Sequence, residues 1–265
     1  MIEKSFSKPL ITLHNITREV SSEKESRRKL LQNVSWKLNE GQRVGIISKS
    51  MQETHAFLDC AAGVSTPQKG NVLISANVSW PLGAKGGMSS SLSGRQNAKF
   101  LQGIYGRGGQ QRRDLNEIER LAELENNYFD KPVKGYNKAM RARFYLAVSL
   151  AFEFDVYIVP QQLAWKSNTN SDKSLQLQQA LRDRIAGKSL LMTSTDFNFI
   201  AQFCDDGVVL KQGSIAYSGT FSDCRSWYET NIRKAPDEDI NSALDSVESV
   251  STSEPESDIL EEGLW

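Results

Sequence analysis

Histidine is scarce in this 265-residue chain: His14 and His55 are the only two, and neither has Asp, Glu or Cys at ligand spacing, so a zinc-type centre is not expected. Cysteine is nearly as scarce. Cys60, Cys204 and Cys224 form an odd set without metal spacing, which argues against a disulfide framework and suits a reducing compartment. They read as small core or surface residues. Long hydrophobic runs are also missing: the longest, Phe144 to Phe154, is interrupted by Glu153 and too short to cross a bilayer. The N-terminal MIEKSFSKPL lacks the apolar centre of a signal peptide, so the chain is expected to stay in the cytosol.

What is present is the composition of a soluble globular protein, 39% hydrophobic and 24% charged. The length favours one large domain with an appended segment. The formal net charge of zero hides an asymmetry. Residues 236–265 carry ten Asp or Glu and no Lys or Arg, which leaves 32 basic and 22 acidic groups in the first 235 residues. The acidic segment is rich in Ser and Glu with scattered aliphatics, too little apolar area to offset the entropy of ordering. It is expected to be a disordered, solubilising tail; alternatively it shields the basic body, or its end, DILEEGLW, docks a partner.

Along the body, Ile11–Thr17 alternates as a strand does, and LLQNVSWKL reads as a second strand after the charged loop SSEKESRRK. Arg43–Ile47 is a short apolar run of the kind buried in a sheet, and Glu53–Ala62 reads as the helix that leaves it. Residues 71–82 suggest more strand. Gln96–Tyr105, Arg113–Glu125, Lys138–Phe152 and Ser174–Ile185 have helical spacing. Val156–Val159 and Ser189–Thr193 read as buried strands, and Val208–Leu210 with Ser214–Tyr217 as a closing hairpin. Strands alternating with helices imply a largely parallel α/β core. The domain is expected over 1–235, with a helical insertion over about 83–152.

The order of these strings, "L.NVSW.L..GQRVGII", "AAG...P..G.V", "SWPLGAKGGMSSSLSGRQNAKFLQGIYG", "Y..AMRARFYLAVSLAFEFDVYIV" and "SLLMTSTDF.FI..FCD", resembles the ATP-binding subunits of ABC transporters that export capsule and other cell-surface polysaccharides in Gram-negative bacteria. The resemblance spans about residues 9–230, and the segment from Trp80-Pro81-Leu82-Gly83 to Gly94-Arg95-Gln96-Asn97 is specific to that branch. It implies an ABC-type nucleotide-binding domain, a P-loop NTPase-like mixed sheet with a helical insertion. It also implies ATP and Mg as the family's ligands, a dimer, and a transmembrane permease as partner on the inner face of the bacterial inner membrane.

Against that pattern the residues depart. The family's phosphate loop is G-x-x-x-x-G-K-[ST], whose amides and lysine cradle phosphates while the hydroxyl binds magnesium. Here Ser48 stands for the first glycine, Glu53 for the last, Thr54 for the lysine and His55 for the hydroxyl residue, with Met51 inside the loop. Side chains where glycine is needed cost roughly 1–2 kcal/mol each in left-handed geometry. Glu53 would oppose phosphate by about 4 kcal/mol per like-charge pair at 4 Å and an effective dielectric of 20.

The carboxylate pair expected after Val156–Val159 is Pro160-Gln161, and neither residue accepts a proton at neutral pH. Thr195 stands at the switch histidine, Ser89 at the metal-contacting glutamine and Val20 at the adenine-stacking aromatic. Asn137-Lys138-Ala139-Met140 replaces the signature loop.

No catalytic residue is therefore expected intact, and neither cofactor nor metal is expected. The favoured function is a non-hydrolysing exporter subunit that docks a permease through residues 80–106, with Trp80, Pro81, Leu82, Arg95 and Asn97 as interface candidates, paired with itself or with an intact ATPase paralogue. The alternatives are a cytosolic scaffold or regulator of polysaccharide synthesis, and an ordinary ATP-hydrolysing subunit. The basic clusters Arg27-Arg28-Lys29 and Arg112-Arg113 come without a nucleic-acid motif, so no nucleic-acid partner is expected.

Overall fold

The computed structural model describes residues 8–21, 27–105, 115–160 and 172–233. Two sheets organise the chain. The first is antiparallel, in the order β2-β1-β4, from β1 (Pro9–Ser21), β2 (Arg27–Asn39) and β4 (Lys69–Ile74). The second, in the order β5-β6-β3-β7-β8, contains β3 (Arg43–Ser48), β5 (Val156–Val159), β6 (Ser189–Thr193), β7 (Asp206–Lys211) and β8 (Ser214–Thr220). Its pairings are parallel except for the β7–β8 hairpin.

The four parallel strands read as unbroken apolar runs because both of their faces are covered. Val44, Ile46, Val156, Ile158, Leu191, Val208 and Leu210 enter one hydrophobic cluster, with the antiparallel sheet and helix α1 (Met51–Ala61). Ile47, Tyr157, Val159, Leu190, Met192 and Val209 alternate with them into a second cluster, with the helices of the opposite face. Each fully buried aliphatic of this kind contributes about 1.5–3 kcal/mol. Gly45 belongs to the second face, where a Cβ would come within 2.6 Å of Ile200 Cγ2 and 2.7 Å of Phe221 Cδ2. The absence of a side chain there lets α6 (Phe197–Ala201) and α7 (Phe221–Tyr228) close on the strand.

Helix α1 is packed between the two sheets; Phe57 is fully buried and meets Trp36 of β2 at 5.3 Å between ring centroids. Between β4 and β5 the described chain carries α2 (Gly94–Tyr105), α3 (Leu115–Ala122) and α4 (Lys138–Ser149). Helix α5 (Asp172–Ile185) joins β5 to β6. The strand expected over 71–82 ends at Ile74. Beyond it the chain runs beside β5 without forming a regular strand: Ser79 N–H donates to Val156 O, Ile158 N–H donates to Ser79 Oγ, and Leu82 N–H donates to Ile158 O, each at 2.9 Å. Arg28 and Lys29, expected in a loop, pair in β2 with Val20 and Glu19. The expected acidic tail, 236–265, and the pair Arg112-Arg113 lie outside the described residues.

Candidate functional site

Parallel topology brings the carboxyl ends of β5, β6 and β3 to one edge of the second sheet, the position at which open α/β sheets place ligands. Ser48 ends β3, Pro160 follows β5, and Thr195 lies just beyond β6. These sequence-derived candidates therefore share an edge, whereas Gln161 lies outside the described residues.

The β3–α1 connection is short, and the helix begins at Met51 because Ser50 caps it. Ser50 is extended (φ −96°, ψ 114°), its hydroxyl accepts from Glu53 N–H at 3.3 Å, and its carbonyl accepts from Thr54 N–H at 3.3 Å and Thr54 Oγ1 at 3.0 Å. Ser50-x-x-Glu53 is a capping-box sequence, in which the glutamate normally reaches back to the cap residue's own amide. Here the reach is relayed: Ser50 N–H donates to Ser48 Oγ at 3.0 Å, and that hydroxyl donates to Glu53 Oε2 at 2.8 Å. The other oxygen, Glu53 Oε1, accepts from Gly213 N–H at 3.1 Å.

Glu53 is 7% exposed and Thr54 3%, whereas Met51 points outward at 45%. His55 is half-buried, and burial lowers its pKa. The start of α1 thus holds a carboxylate, the charge that a helix N-terminus favours by about 0.3–1 kcal/mol and more when partly buried. A phosphate cradle needs several loop amides free to converge on one anion. Those of Ser50, Glu53 and Thr54 are already bonded within the loop.

At the β6 end, Ser194 is buried and Thr195 exposed. Asp196 caps α6, accepting from Asn198 N–H at 3.0 Å and Phe199 N–H at 3.1 Å. Among the described residues no group of three or more His, Cys, Asp or Glu is placed to hold a metal ion. At α4, Asn137 is the N-cap and its Oδ1 accepts from Met140 N–H at 2.9 Å; Asn137, Lys138 and Ala139 are all exposed.

In the segment expected to face a partner, the named candidates make contacts within the chain. Trp80 is partly buried, donates from Nε1 to Ser149 Oγ at 3.0 Å, and packs on Tyr105 and Phe154 at 5.0 and 5.5 Å. Pro81 is buried and Leu82 fully so. Asn97, also fully buried, braces the preceding loop: its Oδ1 accepts from Ser89 N–H at 2.8 Å, and its Nδ2 donates to Ser89 O at 2.9 Å and Ser93 O at 3.0 Å. Arg95 lies over the Phe129 ring, 4.7 Å from its centroid. It also bonds Asp130 Oδ1 at 2.6 Å and Glu119 Oε2 at 3.2 Å, and its hydrogen bond holds the Asp130 carboxyl below the usual range.

The outward apolar residues are others: Leu92, Phe100 and Ile104, at 37%, 53% and 51% exposure. On α2 the buried set is Gly94, Asn97, Ala98 and Leu101. Phe100 and Ile104 are one turn apart on the outer face, with Gly103 beside them in open space. Their i, i+4 spacing against the buried set was the signal available in the sequence.

No family model matches the sequence. The chain is 30% identical over 206 residues to the Escherichia coli polysialic acid transport ATP-binding protein KpsT, covering 78% of this chain and 90% of that protein. It is 30% identical over 191 residues to the capsule polysaccharide export ATP-binding protein CtrD of Neisseria meningitidis, covering 70% and 83%. Among solved structures, the dimeric ATP-binding cassette MJ0796 bound to ADP and Pi superposes with a TM-score of 0.61 at 18% identity, covering 80% of this chain and 98% of that one. The two sheets, with helices between and around them, are those of an ABC cassette, and by its sequence the chain belongs to the ATP-binding proteins of polysaccharide-export ABC transporters.

Proposed function

We propose that this chain is a subunit of a polysaccharide exporter that keeps the cassette architecture but neither binds nor hydrolyses ATP in the family's usual pose, and that it acts as a structural or regulatory component beside a transmembrane permease. The observation that carries this reading is the Glu53 carboxylate at the start of α1, bonded to Ser48 Oγ and Gly213 N–H. A triphosphate brought there meets a like charge, worth about 4 kcal/mol per pair at 4 Å in an effective dielectric of 20. It also finds Thr54 where the family has lysine. Pro160 at the end of β5 supplies neither a metal ligand nor a base. Export as the process, and polysaccharide as the cargo class, come from what the relatives are called.

The docking surface in this reading is the outer face of α2, where Phe100 and Ile104 flank Gly103. The small residue lets a partner helix approach closely, and the two side chains supply apolar area. Among the described residues no helix is long and apolar enough to cross a membrane, so attachment to the inner face of the inner membrane would run through the partner. ATP hydrolysis would come from an intact paralogue.

Thermal unfolding with and without Mg-ATP tests the first half. A ligand at 100 times its Kd adds about 2.7 kcal/mol; no shift is expected, and a clear upward one overturns the reading. For the second half, affinity purification from solubilised membranes is expected to recover an integral permease with the unsubstituted chain and to lose it with Phe100→Glu/Ile104→Glu. Recovery of soluble partners alone overturns the docking assignment.

A further inference from the structure

The Gln212-Gly213 turn joins β7 to β8, and both of its residues have positive φ, 51° and 77°, as a two-residue type I′ hairpin requires. In such a turn the hairpin's own hydrogen bonds engage the flanking pair, here Lys211 and Ser214, and leave the amide of the second turn residue pointing away. Gly213 is nonetheless buried. A Cβ on it would sit 3.0 Å from Leu30 O, so the turn is pressed against β2. An amide in that position needs an acceptor from elsewhere in the chain, and it finds Glu53 Oε1 at 3.1 Å.

The other side of the turn is tied as well. Gly213 O accepts from Gln32 N–H at 2.7 Å, Gln212 O accepts from Gln32 Nε2 at 3.0 Å, and Ser214 Oγ donates to Gln32 O at 3.3 Å. Gly213 is therefore a junction. Its N–H reaches the start of α1, its carbonyl reaches β2 of the antiparallel sheet, and its own hairpin belongs to the parallel sheet.

We propose that the Glu53 carboxylate is a permanent internal clamp, which holds the β3–α1 junction, the β7–β8 hairpin and the antiparallel sheet in one fixed arrangement without any nucleotide. The inference rests on the reading above that no phosphate occupies this position. Glu53 acts as a positioning residue: one oxygen takes the Ser48 hydroxyl, which in turn holds the Ser50 amide, and the other takes the hairpin amide. A carboxylate has acceptor capacity for both and, unlike a ligand, does not dissociate.

The test is residue-resolved amide exchange on the full chain, comparing Gly213 and Gln32 with Leu191 at the centre of β6, in Glu53→Ala and Glu53→Gln. In Glu53→Ala, exchange at Gly213 and Gln32 is expected to accelerate on the order of tenfold more than at Leu191, since a buried donor loses its acceptor. Glu53→Gln retains one carbonyl oxygen and is expected to show a smaller acceleration confined to the same amides. It also decides the matter should the alanine variant not fold. Acceleration equal to that of Leu191, or none, overturns the clamp. Mg-ATP binding to the unsubstituted protein would instead overturn the functional reading, so the two failures are distinguishable.

Discussion

The Ser149 hydroxyl accepts the Trp80 indole N–H at 3.0 Å and the Gly83 amide at 3.2 Å, while itself donating to Tyr145 O at 2.7 Å. Ser149 is fully buried, and this one oxygen fastens the 80–83 segment to the last turn of α4. Ser149→Ala removes the common acceptor and leaves two donors without it, a loss of about 1–3 kcal/mol. Urea denaturation followed by tryptophan fluorescence measures it; a midpoint equal to that of the unsubstituted protein would mean that the two donors find water instead.

That attachment joins residues 66 and 69 positions apart, a pairing that periodicity in the sequence does not encode. The buried strands were legible because burial on both faces writes itself as an uninterrupted apolar run, as in Val156–Val159 and Ser189–Thr193. Residues 75–82 mix apolar with polar positions and form no regular strand, since Ser79 and Leu82 dock the chain on β5 through a few specific bonds rather than a ladder. Helix α7 is announced in the sequence only by its Thr220-x-x-Asp223 start, a capping pattern in which Asp223 N–H donates to Thr220 Oγ1 at 3.2 Å. At the site, the position of Glu53 could be read from its neighbours in sequence. Its bond to Gly213, 160 residues away, could not, because periodicity and spacing carry no information on such pairs. For the same reason the bonds of the interface candidates Trp80 and Asn97, to Ser149 and to the 89–93 loop, could not be read from the sequence.

A pH dependence follows from Asp59 of α1. Burial raises its pKa from 3.8 to about 6 against the opposing influence of Arg18, and its Oδ1 is buried with no hydrogen-bond partner among the described residues. The folded state therefore holds this proton more tightly than the unfolded chain. The resulting stability is fully present below pH 3.8, declines as pH rises through the window up to about 6, and is absent above it. Asp59→Asn lacks the titration, so its stability relative to the parent is expected to rise across pH 4 to 6 and then level off. After discounting for solvent screening the gain is about 1 kcal/mol. Chemical denaturation at pH 4, 5, 6 and 7.5 reads it directly; a difference that is flat with pH removes Asp59 as the cause.

The three cysteines have the opposite character from reactive thiols. All are buried, and burial pushes Cys204 up to about 12, Cys224 up to about 11 and Cys60 upward from its ordinary value. A thiol reacts as thiolate, so at pH 8 the native protein is expected to leave a chromogenic disulfide reagent unreduced over minutes, and to release three equivalents on unfolding. Rapid reaction of one thiol in the native state would show that its surroundings open.

The loop chemistry can be run in reverse. Ser48→Gly, Met51→Gly, Glu53→Gly, Thr54→Lys and His55→Ser together rebuild the phosphate-loop pattern. They also remove the carboxylate that satisfies the Gly213 amide and the Ser48 hydroxyl that accepts the Ser50 N–H. Without nucleotide, the rebuilt protein is expected to be less stable than the parent by about 1–3 kcal/mol, since Gly213 N–H loses its acceptor. With Mg-ATP it is expected to gain about 2.7 kcal/mol at 100 times Kd, a gain the parent does not show. Hydrolysis is expected to stay absent, because the end of β5 still presents Pro160 rather than a carboxylate. Thermal shift with and without Mg-ATP, run beside a phosphate-release assay, separates binding from turnover. A rebuilt loop that still ignores ATP would locate the obstacle outside residues 48–55.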